Sequence, residues 1–428
     1  MRSNPYFCCF IALIAALSLV CAAFSQSLDA TERKIIEYVD NDRSSAARFL
    51  ETVVNIESPT EDVQGVRKVG MAFAKELESI GMKVRWIDMP PETGRAGHLI
   101  AETTGTRGKR LLLLGHLDTV LKGEKFRVEG SRAFGTGIAD MKGGNTIALY
   151  ALKALHQANV LKDMRIILMF TGDEEDSCEP VSLCRGDMIE AAKRSDVALS
   201  FEGSIRNTAT VGRRGSSSWM LEVEARTGHS SGIFRESMGY GAIFEASRIL
   251  NDFRTQLGGE KYLTFNPSIV IGGTTASVAN AEGSAAGKTN VVPARVIVEG
   301  DLRFISEEQK ERARSRMREI AAKNLAGTSA KLTFFDGIPA MTPVEGNYAL
   351  LRELDRVSRD LGFGPVEALD PGDRGAGDIA FISHLIPGLD GIGVGGGHNS
   401  HAKGESAQLD TLPMLTKRAA VLMYRLTR

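Results

Sequence analysis

Apolar residues recur at Val66, Val69, Phe73, Leu77 and Ile80, spaced 3, 4, 4 and 3 apart, with Gly81 immediately after. That period predicts an amphipathic helix stopped by the glycine. "LLLLG" at Leu111–Gly115 has no alternation, so it reads as a strand buried on both faces. "NTIALYALKALHQ" then reads as a helix, and "IILMF" and "DVALSF" as two further strands. Strands alternating with helices predict an α/β fold: a mostly parallel central sheet flanked by helices.

The texture changes near Thr210. In "SSWMLEVEAR", Trp219, Leu221, Val223 and Ala225 fall on one side and Met220, Glu222 and Glu224 on the other. Such alternation predicts a half-exposed antiparallel strand, and "ARVIVEGDLRF" alternates similarly. "SEEQKERARSRMREIAAKN" predicts a helix opened by a capping box of Ser306 and Gln309, with Ala313, Met317 and Ile320 as a narrow apolar stripe. Residues 210–329 therefore read as a small α+β insert, dividing the main domain into 26–209 and 330–428. A buried strand is expected to resume at "DGIGVGG", and a closing helix from about Met414.

The N-terminus follows a different rule. Arg2 precedes the apolar run from Phe7 to Phe24, and Ala23 and Ser25 are small. This predicts a secretory signal over residues 1–25 and an exported, periplasmic or secreted body with no other membrane segment. Three of the five cysteines lie within it, leaving Cys178 and Cys184, whose pairing the sequence leaves open. With 52 basic and 53 acidic residues there is no net field to attract nucleic acid or an anionic membrane.

The polar residues that close the apolar strands carry the chemistry. "LLLLGHLDT" ends in His116 and Asp118, "IILMFTGDEED" in four acids, "VALSFEG" in Glu202, and "GIGVGGGHNSHAKGE" in His398, His401 and Glu405. A glycine-rich loop, "GTGIADMKGGN", carries Asp140. Parallel strands would converge these ends in one crevice. Imidazoles and carboxylates without cysteine suit zinc or a similar divalent ion, which would also relieve the repulsion within the acid run. His116 and Asp118, two apart, share a face, so Asp118 can hold the ring of His116. Neighbouring Glu174 and Glu175 point apart, so one can bind metal while the other faces a water. Asp173 and Asp176 have no assigned chemistry and read as turn or surface carboxylates.

The series "GHLDT", "ADMKGG", "TGDEED", "LSFEG", "RTGHSSG", "TNVVPARVIVEGDLRF" and "SHAKGE" resembles the two-zinc metallopeptidase family of glutamate carboxypeptidase, acetylornithine deacetylase and succinyl-diaminopimelate desuccinylase. The likeness spans nearly the whole mature chain and is nearest to the glutamate carboxypeptidase branch. It implies that Asp140 bridges two metals, completed by His116 and Glu202 on one side and Glu175 and His401 on the other. His401 is preferred to His398 because it stands four residues before Glu405. The metals would be zinc, with cobalt or manganese as substitutes. Glu174 would be the general base and Asp118 would orient His116, with a cis peptide at Asp140–Met141. The insert would be a lid and dimerisation domain whose His229 and Asn290 reach the partner's site in a homodimer. The substrate would be a small peptide or N-acyl amino acid cleaved beside a free carboxylate, by carboxypeptidase or deacylase action. The family's carboxylate-binding arginine is replaced by Ile338 in "DGIPAM", so Arg213, Arg214 and Arg374 are the substrate-binding candidates.

Two rival readings come from other classes. "GHSSG" at Gly228–Gly232 matches a nucleophile elbow, and Ser230, Asp378 and His401 follow serine-hydrolase order. The strand before it alternates, however, whereas an elbow follows a buried parallel strand. The other rival is a peptide-binding protein without catalysis, against which all the expected ligands and the base are present. "GSAAGKT" at Gly283–Thr289 has one residue too few between its glycines for a phosphate loop and reads as an ordinary loop.

Overall fold

The computed structural model describes residues 28–279 and 282–428. The expected signal segment, with Cys8, Cys9 and Cys21, lies outside them. No described helix is long and apolar enough to cross a membrane.

The main sheet takes β1 (Lys83–Ile87), β2 (His98–Glu102), β3 (Arg107–His116), β4 (Met164–Thr171) and β5 (Val197–Ser200), plus a short strand at Gly388–Leu389. Its order is β1, β2, β4, β3, β5 and then Gly388–Leu389. β4, β3, β5 and the short strand run parallel, whereas β2 is antiparallel to both its neighbours. The unalternated leucines explain the centre. Leu111 and Leu113 join the core on one face with Leu149, Leu152 and Val421. Leu112 and Leu114 join a second core on the other face with Met188, Ala191 and Ile379. Each such fully buried leucine contributes about 1.5–3 kcal/mol, so a central strand covered on both faces needs no polar positions. The predicted helix is Val63–Ser79, with Val66, Val69, Phe73 and Leu77 buried and Gly81 at φ 82°.

The expected strand at "DGIGVGG" is largely absent. Only Gly388–Leu389 pairs with β5, and beyond it isolated bridges link Asp390 to Thr210 and Gly395 to Ser204. Glycines supply no side chains to pack on a pleated surface, so the segment turns away while staying buried through Val394. His398 and His401 therefore sit on a loop, not at a strand end. The closing helix is Thr411–Leu426.

The insert is a four-stranded antiparallel sheet of β6 (Gly215–Ala225), β7 (Thr264–Gly273), β8 (Arg295–Phe304) and β9 (Thr328–Asp336), in the order β7, β8, β6, β9. Trp219, Leu221 and Val223 face helices Ala242–Leu257 and Glu307–Ala321 in a core of their own. The Ser306 hydroxyl accepts the Gln309 N–H, while the Gln309 side chain turns back to the Ile305 N–H. The expected boundary after residue 329 falls inside β9, which pairs with β6 as far as Asp336. The first four residues of "GSAAGKT", Gly283–Ala286, are strand rather than loop, paired antiparallel with Thr275–Val278, and only Gly287–Thr289 is left as loop.

Candidate metal centre

β3 and β4 are in register at their ends, His116 opposite Thr171, and β5 stops beside Leu114. Residues just beyond these three ends therefore meet. The Nε2 of His116 lies 3.1 Å from Asp140 Oδ1 and 3.8 Å from Glu202 Oε1. The Nε2 of His401 lies 3.1 Å from Asp140 Oδ2 and 3.1 Å from Glu175 Oε2. Asp140 thus turns one oxygen to each of two sets, His116 with Glu202 and His401 with Glu175. Within each set the donor atoms lie within 4.8 Å of one another. Two nitrogen and oxygen sets sharing one carboxylate fit a pair of divalent cations.

Supporting contacts hold the donors. Asp118 Oδ1 sits 3.3 Å from His116 Nδ1. The Asp118 carboxylate also accepts the Thr60 hydroxyl at 2.7 Å and the backbone N–H groups of Glu174 and Glu175, each at 3.1 Å. Glu405, used above only to choose between histidines, grips the loop that carries Asp140. It accepts the N–H groups of Gly137, Ala139 and Asp140 at 2.7, 2.9 and 3.1 Å. The Asp140–Met141 peptide is cis. His401 stands at φ 66°, a left-handed conformation that costs a side-chain-bearing residue on the order of 1–3 kcal/mol.

The electrostatics register the crowding. Burial pushes the Glu174 carboxyl well above the usual range, and the nearby acids Asp378, Glu202 and Glu175 push the same way. Burial, with Asp140 beside it, lifts Glu202 to about 7. Hydrogen bonds to Asp140 and Glu175 raise His401 to about 10. Five clustered carboxylates facing two imidazoles need further positive charge, which two divalent cations would supply.

The three candidate arginines separate. Arg213 is only 3% exposed, with Nε on Asp390 and Nη1 on the carbonyls of Gly375 and Ala376. Its Nη2 lies 3.9 Å from Glu202, so it backs that carboxylate and is closed to substrate. Arg214 leans on Thr264 and the Gly372 carbonyl and touches no ligand residue. Arg374 lines a cavity of about 170 Å³ together with Asp140, Glu202 and Ser400. It is fixed by Thr210 Oγ1 at 3.2 Å and the Gly203 carbonyl at 2.5 Å. Ile338 is half-buried against the apolar core.

His229 and Asn290 are exposed neighbours on the insert, joined where the Ser230 N–H meets the Asn290 carbonyl. Among the described residues no hydrogen bond ties either side chain to the ligand cluster of the same chain. The serine-hydrolase constellation does not assemble. Asp378 is engaged by Thr171 and Arg185, and His401 by Asp140 and Glu175. Asp173 corrects a further expectation: it is 0% exposed and paired with Arg185, whereas Asp176 lies at the surface on Arg95. A lone arginine twelve residues beyond Asp173 carried no sequence signal for that pairing. Cys178 and Cys184 form a disulfide.

The model of peptidase family M20/M25/M40 matches residues 112–425. This chain belongs to that family. It is a hydrolase of the peptidase and amidohydrolase type. Among relatives of this M20 chain, carboxypeptidase G2 of Pseudomonas sp. strain RS-16 is 27% identical over 441 residues, covering 100% of this chain and 99% of that one. Aminopeptidase PepT of Bacillus cereus shares the fold with a TM-score of 0.70 at 16% identity, over 90% of this chain and 99% of that one. The YXEP protein of Bacillus subtilis, a dinuclear metal binding peptidase from the M20 family, does so with a TM-score of 0.61 at 15% identity, over 91% and 99%.

Proposed function

We propose that this M20 hydrolase is an exported, carboxypeptidase-like enzyme that cleaves the amide bond of small peptides or N-acyl amino acids beside a free carboxylate. The observation that carries this reading is the two-sided Asp140, one oxygen toward His116 and Glu202 and the other toward His401 and Glu175. Two zinc ions held there would polarise the carbonyl and acidify water. Glu174 then takes a proton from the attacking water and delivers it to the leaving nitrogen. Its raised pKa in the buried pocket suits a group that must both accept and release a proton. Asp118 fixes the ring of His116.

The carbonyl oxygen is held by His229 of the partner subunit together with the partner's Asn290. Exposure of both residues on the insert supports that assignment. So does an exposed aromatic cluster nearby, where Phe234 packs on Tyr240 and Phe244 with ring centres 5.5 Å apart, because such a patch suits a subunit contact. Export rests on the N-terminal apolar stretch, and the disulfide is consistent with an oxidising compartment.

The test is Glu174→Ala, assayed by mass spectrometry against a library of dipeptides and acyl amino acids. The variant is expected to lose activity by at least about 10³-fold while binding two equivalents of zinc. Wild-type turnover in Glu174→Ala would overturn the reading.

A further inference from the structure

The turn that presents Glu174 is held from two sides. Asp118 takes one side, through the N–H groups of Glu174 and Glu175. The other side is Arg185, which is 1% exposed and spends four of its five N–H donors there. Nη1 donates to Asp173 Oδ1 at 2.7 Å, and Nη2 to the Asp173 carbonyl at 3.1 Å and to Ser177 Oγ at 2.9 Å. Nε donates to Asp378 Oδ1 at 2.7 Å, and the other Asp378 oxygen accepts the Thr171 hydroxyl at 2.7 Å. The guanidinium therefore fixes the chain just before Glu174, just after Glu175, and at the end of β4.

Arg185 is itself anchored. Cys184 precedes it and is joined to Cys178, the residue after Ser177. The Cys184 carbonyl meets His98 Nε2 at 2.9 Å, and His98 Nδ1 accepts the Gly172 N–H at 3.3 Å. Gly172, His98, Cys184, Arg185 and Asp173 thus close a ring around the base of the turn. A planar fork with three fixed directions is not reproduced by an ammonium.

We infer that Arg185, locked by the Cys178–Cys184 disulfide, is the positioning residue of Glu174. The inference rests on Glu174 being the base. Displacing a catalytic group by about 1 Å costs on the order of 10²-fold.

The experiment is a double-mutant cycle of Arg185→Met with Glu174→Ala in the zinc-loaded enzyme. Alone, Arg185→Met is expected to lower kcat on the order of 10²-fold, with KM unchanged and two equivalents of zinc retained. In the Glu174→Ala background it is expected to cost nothing further, because a positioning residue has nothing left to position. The paired variant Cys178→Ser/Cys184→Ser keeps the guanidinium and is expected to lose kcat in the same direction by a smaller factor. It carries the cycle if Arg185→Met does not fold. An equal loss in both backgrounds, or an unchanged kcat in the folded variant, overturns the inference. An active Glu174→Ala enzyme instead overturns the functional reading itself.

Discussion

The carboxylate of Asp118 accepts the backbone N–H of Glu174 at 3.1 Å, and its other oxygen accepts that of Glu175 at the same distance. One side chain thus sets the ring of His116 and the backbone of both glutamates. Asp118→Ala is expected to weaken zinc binding by about 10–100-fold and to lower kcat/KM by a similar factor. Zinc titration against a chromophoric chelator, with kinetics at saturating zinc, checks both; unchanged zinc affinity would contradict the role.

Glu405 accepts two N–H groups on Oε1, from Ala139 and Asp140, and one on Oε2, from Gly137. A buried donor left unpaired costs about 1–3 kcal/mol. Glu405→Ala orphans three and should destabilise the fold by at least about 3 kcal/mol. Glu405→Gln keeps an oxygen for two of them and should cost roughly a third as much. Urea unfolding of the three proteins should rank them wild type, Gln, Ala.

His398 and His401 both leave the same glycine-rich segment, but only His401 reaches Asp140 and Glu175. His401→Ala is expected to lose one of two zinc equivalents, and His398→Ala to lose none. Plasma mass spectrometry of dialysed protein decides between them.

The metal-free protein should lose stability as pH rises. Glu202 and Glu405 are each lifted to about 7, mainly by burial, from the ordinary 4.5. Between those values the folded chain holds protons that the unfolded chain has released, so stability falls with rising pH. His401, raised from 6.5 to about 10 by its bonds to Asp140 and Glu175, extends the fall upward, since its contribution is complete below 6.5 and is lost toward 10. Zinc held by Glu202 and His401 would replace their protons, so the gain in Tm on adding zinc should be larger at pH 8 than at pH 5. Melting curves with and without chelator measure it; an equal gain at both values would refute it.

The parts of the site legible in the sequence are those attached to a local pattern. His116 follows four leucines and Glu202 follows "VALSF", so strand ends announced them. Asp173 was unreadable by the same logic. In sequence it is one of four adjacent acids, and only the fold places Arg185, which it shares with Asp378, against it. The three arginines were likewise equivalent as text, and burial separates them: Arg213 closes behind Glu202, while Arg374 opens on the cavity.

Hydrophobic period and strand-end chemistry, both local properties, determined by themselves the mostly parallel sheet, the antiparallel insert and the ligand types. Tertiary structure alone decided which oxygen of Asp140 faces which histidine, across 24 residues to His116 and 261 to His401. It also decided that Glu405 holds the Asp140 loop and that Cys178 meets Cys184. Such pairings depend on register between elements distant along the chain. The packing of side chains in three dimensions sets that register, and no periodicity within one segment encodes it.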